Sequence, residues 1–236
     1  MVTQIKSSFG HFYKHEDAMP VPSVTNILDS GNLDFLVPWG ISLAVKEVHI
    51  QMKANPQISS DELVRLGKAE HIRVQSWHRD LGTYAHSFIE KGETPSPDHQ
   101  EFGKHPYLIY NSWMQFLDES GFSRNDMEFE KPFIGFGAHG NYGGTLDAIM
   151  RNENGTHTII ELKSSRNLDP KHGVQAAAYA RLAMQAGYWP ANILVVRLGK
   201  YKVEWEARKV NYDNGVAAFD AKHQAYLLTQ ETQVFI

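Results

Sequence analysis

The stretch THTIIELKSSR, residues 156–166, decides how the chain is read. Thr158, Ile159, Ile160 and Leu162 give it the β-branched, apolar character of a strand largely withdrawn from water. Glu161 and Lys163 stand inside that run. On a strand they are i and i+2, so both side chains leave on one face while Leu162 points to the other. A core strand then carries a carboxylate and an ammonium side by side. An ordinary ion pair on a solvated face, contributing ~0.2–1 kcal/mol, is one explanation. Chemistry is the other.

The neighbouring segments bear on that choice. GGTLDAIMRN, residues 143–152, reads as a second strand, and NENG, residues 152–155, is a turn signal. A hairpin through that turn brings Asp147 alongside Glu161 and Lys163 at one sheet edge. Paired carboxylates are hard oxygen ligands suited to Mg²⁺ or Mn²⁺. A bound ion offsets their repulsion and acidifies a water, while a nearby lysine orients that water or stabilises charge on a scissile phosphate. Downstream, GVQAAAYARL, residues 173–182, is an alanine-rich helical pattern. Gln175 and Tyr179 fall at i and i+4 on one face, either as a hydrogen-bonded core pair or as part of a helix lying close over a site. Upstream, GTYAHSFIEKG, residues 82–92, places His86 and Glu90 at i and i+4. That is a surface contact or a metal ligand with its supporting group.

The rest of the chain frames these segments. FGHFYKH, residues 9–15, alternates weakly as a hairpin arm, and PVPSVTNILDSG, residues 20–31, predicts a short helix capped by Ser23 and closed near Gly31. Residues 36–55 form an amphipathic pattern with Pro38 early in it. A long helical pattern follows from an N-cap at Ser60 through residues 71–92, interrupted at modest cost by Gly82, and another helix stops at Gly121. The texture then changes to strands at 126–136, 143–152, 156–165, 192–199 and 201–210, with helices over 173–187 and 214–231. This order predicts an α/β fold, a mixed sheet flanked by helices, after a mostly helical N-terminal part. GFGAHG, residues 135–140, fits G-x-G-x-x-G, but strand-like sequence follows it rather than a helix, so a hairpin loop is the better reading.

Composition excludes several classes. With no cysteine among 236 residues there is no disulfide, thiolate zinc site, iron–sulfur cluster or cysteine nucleophile. The formal net charge of -4 argues against coating nucleic acid by bulk charge, so any such site must be a local patch. None of the twelve histidines forms a metal-binding spacing by itself. The N-terminus has no apolar targeting segment, and the chain reads as soluble and intracellular.

Taken in order, GTYAHSFIE, EFEKPF, GGTLDAI, IIELKSS and QAAAY resemble the PD-(D/E)xK nuclease superfamily. Within it the likeness is to the RecB-like, phage-type exonuclease branch with its Q-x-x-x-Y motif, over roughly residues 82–180. PSVTNIL and LVPWGISLA are more weakly similar to the start of phage-type members. The resemblance implies a restriction-endonuclease-like mixed sheet core and a single nuclease domain over 1–236. In it, 1–80 would be a mostly helical DNA channel and 81–236 the catalytic core. It implies a metal-dependent DNA exonuclease acting from strand ends in recombination, repair or phage DNA metabolism. A structure-specific endonuclease and a catalytically inactive DNA-binding module are the alternatives. By motif match, His86, Asp147, Glu161 and the Leu162 carbonyl would hold one or two Mg²⁺ or Mn²⁺ ions, with Glu90 serving a second ion. Lys163 would be the catalytic lysine, Gln175 and Tyr179 would shape the active-site face, and Glu130 takes the acidic position of the preceding strand. Ser164 and Ser165 would contact phosphate. Lys68, His71, Arg73 and Arg79, with Trp77 and Tyr84 as stacking rings, are candidate strand contacts, or simply a solvated helix face with core aromatics. Leu146 replaces the usual proline before Asp147. Lack of cysteine excludes the cluster-bearing relatives, and lack of a helicase motif points to a stand-alone nuclease. The resemblance further implies a recombination or single-strand-annealing partner protein and a cytoplasmic setting in a bacterium or a phage-infected host cell.

Overall fold

The computed structural model describes residues 1–7, 10–16, 18–30 and 36–232. Gly31 and Phe9, where a helix end and the start of a hairpin arm are expected, lie outside them. The chain divides into two compact units, one of residues 1–30 with 85–236 and one of residues 31–84.

The first unit opens with β1 (Val2–Ser7), β2 (Gly10–His15) and β3 (Val21–Pro22), an antiparallel three-stranded sheet. The sequence suggests only a hairpin arm here. Ser23 then caps α1 (Val24–Asp29), accepting the Asn26 N–H at 3.0 Å as its spacing predicts. The same residue bridges Gly143 in the main sheet.

The second unit holds α2 (Leu36–Ala54) and the first part of α3 (Ser60–Lys91). A Cβ on Gly67 would meet Val48 and the Ala44 carbonyl at 3.3 and 3.4 Å, so the two helices approach closely there. The N-cap of α3 is Ser59, not Ser60: its hydroxyl accepts the Glu62 N–H at 3.2 Å. Adjacent serines offer the same cap chemistry, and the hydrogen bond selects the first.

The rest of the sheet unit follows the expected order. α4 (His105–Ser120) ends at Gly121, whose φ of 69° is a left-handed stop. β4 (Met127–Gly137), β5 (Gly140–Arg151), β6 (His157–Lys163), α5 (Pro170–Gln185), β7 (Pro190–Leu198), β8 (Trp205–Lys209) and α6 (Tyr212–Thr232) complete it. The sheet order is β4-β5-β6-β7-β8, with β6 and β7 parallel and every other pair antiparallel. It is the mixed, helix-flanked sheet that the element order predicts, and α5 supplies the crossover that a parallel pair requires. GFGAHG closes the β4–β5 hairpin, with Gly137 paired to Gly140. None of the described helices is long and apolar enough to cross a membrane.

Packing fixes α5 against the sheet. Ala176, Ala177, Ala178, Ala180 and Ala183 are all fully buried. All but Ala177 share one cluster with Leu146, Ile149, Ile159, Ile193, Val195 and Phe219. Such small residues let the helix backbone approach its neighbours, and Tyr179 and Leu182 are the large side chains buried among them. The Tyr179 ring lies on Gly144, where a Cβ would come within 2.3 Å of Tyr179 Cε1. Trp113, fully buried on α4, packs with Phe116 and Phe129 in a separate aromatic group. We expect Gly144→Ala to cost about 1–3 kcal/mol by overpacking. A thermal melt should show a drop of several degrees, whereas an unchanged midpoint would mean that Tyr179 can leave this seat freely.

Candidate functional site

The site lies where two ladders part. β5 pairs with β6 from Arg151↔His157 only as far as Ala148↔Ile160, and then continues with β4 and the single Ser23 bridge at Gly143. Asp147 is the first β5 residue past that fork. The amide of Leu162, no longer needed by β5, donates to Asp147 Oδ2 at 2.7 Å. A freed backbone donor thus finds a carboxylate in place of a carbonyl.

The β4–β5 ladder is interrupted at the same level. Phe129 pairs with Ala148 and Lys131 with Leu146, but Glu130 and Asp147 between them form no pair. Glu130 has φ +47°, a left-handed conformation unusual for a residue with a Cβ. The register is the same on both sides of the gap, from Met127↔Met150 to Gly137↔Gly140, so the kink removes one pair without shifting the strands.

Side chains from five elements meet there. His86, from the last turns of α3, places Nδ1 3.4 Å from Asp147 Oδ1. Ligand atoms of His86, Glu130 and Asp147 all lie within 4.8 Å of one another, an arrangement that could hold a metal ion. Glu161, 2% exposed, accepts from Lys163 Nζ at 2.6 Å through Oε1, while its buried Oε2 has no hydrogen-bond partner. On α5, Gln175 Nε2 donates to the Tyr179 hydroxyl at 3.0 Å, so this expected i,i+4 pair is formed. His172 opens that helix by accepting the Asp169 N–H at 3.1 Å. Burial, reinforced by Lys163, pushes its pKa down to about 4 and so keeps the acceptor nitrogen unprotonated.

The electrostatics describe a site with too much negative charge for its burial. Desolvation and then the Asp147 carboxylate push Glu161 up to about 8 against the pull of Lys163. Burial and Asp147 push Glu130 up to about 7. Asp147 is also opposed by burial, but His86, Lys163 and the Leu162 amide hold it below its ordinary value. Burial works against the Lys163 ammonium, yet Glu161 and Asp147 hold its pKa above the usual range. Two carboxylates driven toward protonation and an orphaned Glu161 oxygen fit a divalent cation. The donor set of carboxylates with one imidazole suits Mg²⁺ or Mn²⁺.

The other candidates are placed as follows. Glu90 is exposed and reaches the cluster through its field on Glu130. Ser164 and Ser165 are half-buried just past Lys163, and Ser165 Oγ donates to the Asn167 carbonyl at 2.7 Å. In the helical unit, Lys68 is exposed and its carbonyl lies 3.0 Å from His71 Nδ1. Arg73 pairs with Glu70 at 2.7 Å and Arg79 with Asp80 at 3.0 Å. Trp77 meets His78 edge-on, and Tyr84 is half-buried. Tyr13 is a further residue of this region that no sequence motif marks. It is buried against Gly143, and its hydroxyl lies 2.9 Å from Thr145 Oγ1 and accepts from Gln4 at 3.0 Å. Only the weak alternation of residues 9–15 hinted at it.

No family model matches the sequence, and no curated protein does. Among solved structures, the chain is similar to SSO0001, with 16% identity and a TM-score of 0.38 over 67% of this chain and 70% of that one. It is also similar to an exonuclease candidate from Eubacterium rectale, with 14% identity and a TM-score of 0.45 over 64% of this chain and 66% of that one. At this depth of similarity the chemistry rests on the residues of the site itself.

A pH dependence follows. Glu130 and Glu161 bind protons more tightly folded than unfolded, so the stability this gives is present at low pH and lost as pH rises toward about 7 and 8. His86, raised because Asp147 and Glu130 outweigh its burial, acts in the same direction. In EDTA the melting temperature should fall from pH 6 to pH 8.5, and Glu161→Gln should flatten that fall. Added Mn²⁺ should stabilise more at pH 8 than at pH 6. An equal Mn²⁺ shift at both values would count against ion binding at these carboxylates.

Proposed function

We propose that the chain is a Mg²⁺- or Mn²⁺-dependent DNA exonuclease that hydrolyses phosphodiester bonds from a strand end. The observation that carries this reading is the convergence of Asp147, Glu161 and Lys163 at the strand fork, with His86 and Glu130 beside them and one buried carboxylate oxygen unsatisfied. An isolated ion pair would explain Glu161 and Lys163 but not the second and third carboxylates.

Asp147, His86 and Glu130 or Glu161, with the Leu162 carbonyl, would hold the ion. When bound, it supplies acidification of a water and neutralisation of charge on the phosphate. The chain's own residues do the positioning. Lys163, held protonated by Glu161 and Asp147, donates rather than accepts, so it orients the attacking water or a non-bridging phosphate oxygen and is not the base. Glu161 fixes the ammonium at 2.6 Å. Tyr179, pinned by Gln175 and by its seat on Gly144, fills the α5 side of the site and limits bulk water. Hydrolysis then follows in-line attack of water on phosphorus, with cleavage of the bond to the leaving oxygen.

The test uses end-labelled single- and double-stranded DNA with Mg²⁺ or Mn²⁺. Lys163→Ala and Asp147→Ala should each cut the rate by about 10²–10³-fold or more, the scale seen when a transition-state donor is removed. Closed circular DNA should survive. Undiminished cleavage by either variant sinks the mechanism, and nicking of the circle favours the endonuclease reading.

A further inference from the structure

Beyond Lys163 the molecule has a second polar feature. β6 and β7 are its one parallel pair of strands among the described residues, with Lys163 in register with Arg197. In open α/β sheets the crevice past the carboxyl ends of parallel strands is the usual place for a ligand. Here it is a cleft of about 430 Å³, lined by Ser165 and Arg166 on one side and by Arg197, Lys200, Lys202 and Glu204 on the other. That volume is within the ordinary range for a ligand site.

The charges in it are unequal. Arg197 holds Glu204 at 3.1 Å and Glu206 at 3.4 Å, and Lys202 shares Glu204 at 2.7 Å. Both carboxylates of the cleft are thus engaged by cations of the cleft. Arg166 is exposed and enters no hydrogen bond or ion pair among the described residues. Burial pushes the pKa of Lys200 down, a penalty that an anion in the cleft would offset.

The far wall is built in advance. The β7–β8 turn closes with the Gly199 N–H on the Glu204 carbonyl at 2.8 Å. Helix α4 braces it: Ser112 Oγ accepts the Glu204 N–H at 3.1 Å, and His105 Nδ1 lies 2.7 Å from the Lys200 carbonyl oxygen. A Cβ at Gly199 would come within 2.4 Å of the Lys202 carbonyl oxygen, so the turn is tightly closed. Cations on such a wall lose little freedom when they meet an anion.

We infer that this crevice binds a second phosphate group of the nucleic-acid strand, next to the phosphate at Lys163. The inference rests on the nuclease reading. The strand register sets Arg197 directly beside Lys163, so a backbone leaving the fork along the β6 carboxyl end runs into the crevice. The bound group is a phosphate of the chain's own substrate, whether an internal diester or a terminal monoester.

The experiment is a fluorescence-anisotropy titration of the full chain with a labelled single-stranded oligonucleotide, in EDTA, from about 50 to 200 mM salt. Arg166→Ala should weaken binding several-fold and reduce the salt slope by about 0.7, the share of one phosphate on a single strand. Arg166→Glu should weaken it further. Arg166 is exposed, so both variants should melt like the wild type. A loss seen only with phosphate-ended oligonucleotides identifies a terminal monoester, and a loss with hydroxyl ends as well identifies an internal diester. Unchanged affinity and slope in both variants overturn the inference. If the wild type still cleaves DNA in that case, the nuclease reading survives it. Binding that depends on Arg166 without cleavage in either metal would instead sink the nuclease reading and keep the crevice. A wild-type chain that binds no oligonucleotide overturns both.

Discussion

The structure turns on the parting of β5 from β6 after Ala148↔Ile160. A continuous ladder would bury Asp147 in regular pairing and engage the Leu162 amide with a carbonyl. The fork leaves that amide to a carboxylate and opens space for side chains from α3, β4 and α5. The kink at Glu130 belongs to the same event: it drops one ladder pair, and its left-handed backbone is a strain of order 1–3 kcal/mol that the surrounding pairs must hold. Ten β4–β5 pairs flank the gap, three on one side and seven on the turn side, so the distortion is local to one residue in an otherwise regular hairpin.

The charge pattern is a consequence of that geometry. Three carboxylates share a poorly hydrated space with one ammonium and one imidazole. Like charges so close cannot all stay ionised without further positive charge, which is why Glu130 and Glu161 rise while Asp147, which has the most partners, falls. The Glu161–Lys163 pair by itself is a buried ion pair, which is weak evidence for stability because desolvation offsets its attraction. Its place beside a second and third carboxylate is what gives it a chemical meaning.

Much of this was legible in the sequence. The order of strands and helices, the NENG hairpin and the same-face placement of Glu161 and Lys163 follow from period-two spacing and turn residues. The Gln175–Tyr179 contact follows from period 3.6. What stayed hidden depended on long-range pairing. Nothing local in EFEKPF announces a left-handed Glu130, since the residue type does not favour it. Tyr13 reaches Thr145 across 132 positions, a distance over which no periodicity speaks. The N-cap of α3 slipped by one because two serines stand together. The braced turn at Gly199 likewise needs α4, which lies far upstream in the chain.

The row of buried alanines on α5 has one more implication. Alanine has almost no rotamer entropy to lose on burial, so the seating of this helix depends on backbone shape more than on interlocking side chains. A neighbour cannot repack around an added methylene there as it can in a leucine-rich interior. Mutational tolerance along the chain should therefore be steeply uneven: nearly nil at Ala176, Ala177 and Ala180, and generous at exposed α5 positions such as Met184. The helix that carries Gln175 and Tyr179 is thus held like a ruler against the sheet, and drift in sequence is confined to its outer face.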